Sequence, residues 1–203
     1  MKIALIGVTG RVGSRLLAEL LRRGHKVTGI ARHPEKLAPR VNLVVKACDV
    51  ADEAGLAAAV SGHDAVISAF NFVSGDIKKL LSALKKAGVG RLLMVGGAGS
   101  LEAAPGLQLI DSPGFPAEYK AEATAGRSFL EALRKERELD WTYLSPSLLF
   151  EPGERTGKFR LGGDQLLKDA KGESRVSMED FAIALADELE KPAHSRKRFT
   201  VGY

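Results

Sequence analysis

Apolar and polar positions set the first element at once: Ile3-Ala4-Leu5-Ile6 is an unbroken apolar run that passes directly into Gly7-Val8-Thr9-Gly10-Arg11-Val12-Gly13. From Ser14 to Leu21 apolar residues recur at helical spacing, so the expected order is strand, tight turn, helix. Arg22, Arg23 and Gly24 close that helix, with cations in its last turn and a glycine suited to a left-handed C-cap. The two patterns then alternate. Strands are predicted at Lys26–Ala31, Val41–Ala47, His63–Phe70, Gly90–Val95 and Trp141–Leu144, and helices at Asp52–Val60, Ile77–Ala87 and Ala117–Leu139. Such alternation predicts an α/β, Rossmann-like fold, a doubly wound parallel sheet. Beyond Ser145 the pattern changes. Lys158–Leu161, Gly162-Gly163-Asp164 and Gln165–Leu167 read as strand, turn and strand, Ser177-Met178-Glu179-Asp180 opens a last helix, and Arg198–Val201 reads as a final strand. The expectation is one domain over 1–203, a dinucleotide-binding core over 1–145 with a small strand and helix appendage over 146–203 on the substrate side.

The glycine turn carries the first chemistry. A glycine at a strand end lets the backbone turn, a second lets main-chain N–H groups approach a pyrophosphate, and a third lets the helix pack close to the strand. The helix N-terminus faces the phosphates with partial positive charge. Gly7, Thr9, Gly10, Arg11, Val12 and Gly13 are therefore the expected dinucleotide cradle; the plainer reading of the same spacing is a turn below a close-packed helix. About twenty residues past such glycines an acid marks NAD, whereas a basic residue accommodates a 2′-phosphate. Ala31 and Arg32 stand there without an acid, which favours NADP(H) with NAD(H) still admitted; the alternative is a solvated arginine in a loop. Past the third strand, Asp49 beside Val50 either reaches an adenine amino group or caps the next helix. Ala69 and Phe70 end the fourth strand on the cofactor side, and Gly96 and Gly97 open a turn expected to lie against a nicotinamide ring. The Gly- and Pro-rich stretch from Leu101 to Pro116 is either a lid over that ring or a surface loop. His25 and His63 read as structural, and Cys48 as a small buried hydrophobe.

Composition narrows the classes. A chain of 203 residues buries roughly 70% of its unfolded surface without a metal or disulfide staple, and its single cysteine cannot form an internal disulfide. The formal net charge is +5, but 30 basic and 25 acidic residues are interspersed, which argues against nucleic acid and suits a ligand with several phosphates. Met1 and Lys2 lead straight into the first strand, and no apolar run reaches the ~18 to 20 residues of a membrane span. The cytoplasm is the expected compartment, with no membrane partner.

With Gly7 to Gly13, Leu139-Asp140-Trp141-Thr142 leading into Ser145-Pro146-Ser147, and the stretch from Glu151 to Asp164 in view, the chain resembles the atypical short-chain dehydrogenase family of NAD(P)H-binding, NmrA-like proteins, in particular the NADH-flavin reductase group. The resemblance implies a Rossmann fold, a reduced nicotinamide cofactor at the glycine turn, and FMN or another conjugated acceptor stacked on the nicotinamide. On that reading Lys120 lies with the cofactor, and Tyr119, Pro146, Ser147 and Phe150 border the acceptor. The wider family protonates a carbonyl with a Tyr and a Lys four residues on. Here Tyr119 is followed by Ala123 and Lys120 is preceded by Pro116, so the pair is missing and no catalytic residue is assigned. Flavin reduction survives that loss, because the accompanying proton can come from water. Two functions follow: a reductase passing hydride to a flavin or quinone-like small molecule, or an NmrA-like redox sensor that reports through a protein partner. The chain is expected as a monomer or homodimer.

Overall fold

The structure, a computed structural model, describes residues 1–203 with the side chain of Lys36 left aside. Two compact units make up the chain, Met1–Met94 with Arg137–Trp141, and Val95–Glu136 with Thr142–Tyr203. The first holds β1 (Lys2–Ile6), α1 (Arg11–Arg22), β2 (Lys26–Ala31), β3 (Leu43–Ala47), α2 (Glu53–Val60), β4 (Ala65–Ser68), α3 (Ile77–Lys86) and β5 (Arg91–Val95, whose last residue belongs to the second unit). Its strands lie in the order β5-β4-β1-β2-β3, all parallel. Central strands of a parallel sheet are covered on both faces, which is why Ile3 to Ile6 and Ala65 to Ile67 of β4 are apolar without alternation and buried. β3 ends the order and leaves Val44 and Val45 exposed. α1 turns Leu16, Leu17 and Leu20 inward and stops where Gly24 takes φ +79°. There the Gly24 and His25 amides donate to the Leu21 and Leu20 carbonyls. The sheet is mostly parallel and the fold Rossmann-like α/β.

The second unit contains β6 (Glu102–Ala104), β7 (Leu107–Gln108), α4 (Ala117–Lys135), β8 (Asp140–Ser145, whose first two residues belong to the first unit), β9 (Leu149–Glu151), β10 (Arg160–Gly162), β11 (Arg175–Ser177), α5 (Met178–Glu190) and β12 (Lys197–Gly202). β12 lies between β8, to which it is parallel, and β10, to which it is antiparallel; β9 and β11 form a separate parallel pair.

Three expectations need correction. The strand, turn and strand over 158–167 is not a hairpin: β10 pairs with β12, and Gln165 makes only an isolated bridge to Glu102. The physical reason is that Asp164 is drawn to Arg198, and Gly162 lies so close to Leu167 and Thr200 that a Cβ would come within 2.9 Å of Leu167. Within the stretch 101–116, β6 and β7 pair and Leu101 and Ile110 are buried. α4 ends at Lys135, because Glu136 turns extended at ψ 133°. Cys48 is half-buried rather than buried.

Candidate cofactor site

In the first unit the strand order reverses beside β1: the chain runs outward through β2 and β3, then returns to place β4 on the other side. Ligands of open α/β sheets bind at the carboxyl ends of the strands flanking such a reversal. The ends of β1 and β4 meet there, with the Ala69 amide donating to the Ile6 carbonyl at 2.9 Å.

The three glycines of the turn have different reasons to be glycine. Gly7 stands at φ +80°, where a Cβ would lie 2.5 Å from the Ala69 carbonyl oxygen. Gly13, the third residue of α1, would bring a Cβ to 2.1 Å from the Gly7 oxygen. Both are demanded by the fold. Gly10 is exposed, has an ordinary φ of −72°, and a Cβ there meets only the Gly7 oxygen at 3.2 Å and the Ala69 oxygen at 3.9 Å. At Gly10, then, neither the backbone conformation nor any contact under 3.0 Å demands a glycine. No side chain caps α1 and no acid lies in its first turn, whereas Asp52, Asp76 and Ser177 cap α2, α3 and α5. The α1 terminus thus presents main-chain donors and positive dipole to a ligand, with Thr9 and Arg11 exposed and Val12 half-buried.

The same edge gathers the other predicted residues of this unit. Arg32 is exposed just beyond β2, next to the end of β3, where the Cys48 amide donates to the Ala31 carbonyl. Asp49 follows, with Val50 half-buried beside it. Of its two readings the cap is removed: Asp52 caps α2 by accepting from the Gly55 amide, while the Asp49 carboxylate accepts from Ala51 at 2.9 Å. Burial first, then the carboxylates of Asp52 and Asp49, push the Cys48 thiol above its usual range. The Phe70 ring lies against Gly75, where a Cβ would fall 2.0 Å from it. His63 is structural, bridging the Val60 carbonyl and the Thr28 hydroxyl.

The second unit holds the remaining predicted residues. Gly96 donates to the Leu144 carbonyl at 2.7 Å and lies on the Tyr143 ring, where a Cβ would sit 2.2 Å from Cε1. Gly97 donates to the Tyr143 hydroxyl at 3.1 Å. The turn is therefore glycine-rich because Tyr143, and Ala123 beneath Gly99, fill the space. Tyr119 and Lys120 are exposed in the first turn of α4, Tyr119 at 62%. Pro146 and Ser147 are buried, and the Ser147 hydroxyl donates to the Val201 carbonyl at 2.9 Å. Phe150 packs against Phe181 with ring centroids 4.8 Å apart.

Sequence reading missed a buried polar cluster in this unit. The Arg198 guanidinium is held by the Asp164 carboxylate, with Ser145 Oγ at 3.4 Å and Ser100 Oγ at 3.5 Å. Tyr143 lies within reach of its charge, yet burial dominates and pushes the phenol well above its usual range, so it stays protonated. The one signal available was an arginine inside a predicted strand, beside Phe199 and Val201. Among the described residues no three His, Cys, Asp or Glu converge as metal ligands, and no helix is long and apolar enough to cross a membrane.

Comparison with known proteins agrees with this geometry. Residues 7–192 match the model of a family described as NAD(P)H-binding. The uncharacterized protein YwnB of Bacillus subtilis is 40% identical, with 99% of this chain and 98% of that protein covered. Among solved structures, a "putative epimerase" from Bacteroides thetaiotaomicron is 48% identical at TM-score 0.94, covering 100% of this chain and 96% of the other. A "putative exported protein" from Burkholderia pseudomallei is 46% identical at TM-score 0.90, with both chains fully covered. A "putative NADH-flavin reductase" from Streptococcus pneumoniae is 35% identical at TM-score 0.82, covering 100% and 99%. The glycine turn at the sheet reversal and the family match together place the chain in one group: it belongs to the NAD(P)H-binding family.

Proposed function

We propose that this protein is an NAD(P)H-dependent oxidoreductase that passes hydride to FMN or a similar flavin or quinone-like acceptor, with NADPH preferred. The observation that carries the reading is Gly10, a glycine that backbone conformation does not require, exposed at an uncapped helix N-terminus. On this reading Gly7 to Gly13 hold the pyrophosphate and Arg32 pairs with the 2′-phosphate. Asp49 and Val50 border the adenine and Ala69 and Phe70 continue the cofactor path in the first unit, while in the second unit Gly96, Gly97 and Lys120 are the residues assigned to the cofactor. The appendage over 146–203 serves the acceptor, with Pro146, Ser147 and Phe150 shaping its wall and Tyr119 at its rim. Bound dihydronicotinamide supplies a hydride. The chain's own residues bind, orient and exclude water, so catalysis is mainly positioning.

Carbonyl chemistry by a tyrosine and lysine pair is disfavoured by the sequence itself, since Tyr119 is followed at the fourth position by Ala123 and Tyr143 by Ser147. The same absence favours the second reading, a redox sensor that binds the dinucleotide without turnover and reports to a protein partner. The cytoplasm, where reduced cofactor is abundant, is the compartment either reading implies. Mixing the protein with NADPH and FMN in the absence of air separates them. Enzyme-dependent loss of NADPH absorbance with bleaching of the flavin supports the reductase; tight NADPH binding with no acceleration of flavin reduction supports the sensor.

A further inference from the structure

We infer that Tyr143 is a positioning residue whose hydroxyl fixes the Gly96–Gly97 turn in the orientation that hydride transfer needs. The inference rests on the reductase reading, which sets that turn against the nicotinamide.

Tyr143 is fully buried in the second unit, on the opposite side of β8 from Thr142. Its hydroxyl stands between two backbone groups: it accepts from the Gly97 amide at 3.1 Å and donates to the Gly126 carbonyl of α4 at 3.2 Å. Both capacities of a phenol are thereby used, so the rotor cannot turn away without leaving a buried partner unsatisfied. The ring supports the turn as well, lying so close beneath Gly96 that no Cβ fits. At its start the same turn is tied to β8 by the Gly96 amide on the Leu144 carbonyl, and at its end Ser100 lies against Arg198. Removing the Tyr143 oxygen alone leaves those ties; it frees the Gly97 amide in the turn and withdraws the donor from the Gly126 carbonyl in α4. Because the residue sits behind the turn, it has no contact with the acceptor to lose; its effect travels through Gly97.

The test compares Tyr143→Phe with Thr142→Val. The second variant deletes a buried hydroxyl from the preceding residue of the same strand, one that lies 2.9 Å from the His194 carbonyl and 3.3 Å from the Glu188 carboxylate as donor, and so matches the first in kind of loss. Steady-state FMN reduction should show Tyr143→Phe with kcat about tenfold lower, the scale of one misplaced hydrogen-bonded group. Its Kd for NADPH should stay within about threefold of wild type, while Thr142→Val keeps wild-type kcat even where its Tm falls as far. Amide exchange at Gly97, measured on the free proteins, should be about tenfold faster in Tyr143→Phe alone. Unchanged kcat in Tyr143→Phe, or equal losses in both variants tracking Tm, overturns the inference. Should wild type bind NADPH and reduce no acceptor, the reductase reading fails instead. The exchange experiment still decides the pin, because unchanged Gly97 protection in Tyr143→Phe overturns it whatever the activity.

Discussion

Gly10 and Gly13 sit three residues apart in one motif, yet the structure separates their tasks, and substitution should do the same. Gly13→Ala forces a Cβ to 2.1 Å from the Gly7 oxygen and should cost at least ~1 to 3 kcal/mol of stability, read as a lower denaturation midpoint. Gly10→Val should leave a folded protein while abolishing dinucleotide binding by calorimetry; undiminished binding would reduce the motif to a turn. Arg32 stands exposed at the end of β2, where the sequence has no acid in its place, so Arg32→Asp should reverse a preference for NADPH over NADH. One charge-assisted contact of this kind is worth ~1.5 to 3 kcal/mol, roughly tenfold to over a hundredfold in affinity. Tyr119, 62% exposed, lacks the surroundings of a general acid, so Tyr119→Phe should lower kcat for flavin reduction less than about tenfold, against the 10² to 10⁴ of a positioned acid. A thousandfold fall with unchanged KM would reopen carbonyl reduction.

Elements are held by buried acids whose roles only the structure reveals. Asp180, in the first turn of α5 and fully buried, accepts from the Thr156 and Gly157 amides and from the Thr156 and Tyr203 hydroxyls. It thereby locks the exposed stretch 151–158, a conspicuous run in the sequence, onto a helix end. Asp180→Asn weakens this lock, and trypsin should cut after Arg155 or Lys158 about tenfold faster, seen by mass spectrometry of timed digests. Glu188, on the last turns of the same helix, illustrates a pH effect. Burial raises its pKa, but bonds from the His194 ring and from the His194 and Ala193 amides outweigh that and leave it below the usual carboxylate range. Its contribution to stability is therefore complete above the unfolded pKa of ~4.3 and disappears as pH falls through the lower folded value. Melting temperatures followed from pH 7 to 3 should show wild type above Glu188→Gln at neutral pH and the gap closing below pH ~4. Equal gaps at both ends would exclude the assignment. The order of strands and helices was legible because buried parallel strands require unbroken apolar runs and helices require periodic ones. β10 was misread because its partner is β12, far along the chain, and local turn residues carry no record of such pairing. Cap positions were legible at Ser177 and ambiguous at Asp49, where the neighbouring Asp52 competes for the same helix end.

At the scale of the whole molecule, the +5 charge becomes a statement about association. An anionic dinucleotide is drawn to a basic protein, so NADPH affinity should weaken as salt rises from 20 to 300 mM, by an amount that Arg32→Asp reduces. A salt-independent Kd would show that the phosphates are held by backbone groups alone. Half of the candidate site, the glycine turn and the strand ends of the first unit, could be read from spacing, because backbone geometry there dictates residue type. Tyr143 and Arg198 could not, since a polar side chain in a strand gives no sign of which distant groups it will meet. The interleaving of the two units has a last consequence, for the order in which the protein assembles. The first unit lacks Arg137–Trp141 until Val95–Glu136 of the second has been synthesised, and the second lacks β12 until still later. Neither can close as the ribosome delivers it. A growing chain halted at residue 94 would expose the apolar strands of an unfinished sheet, so a period of vulnerability to aggregation is written into the topology.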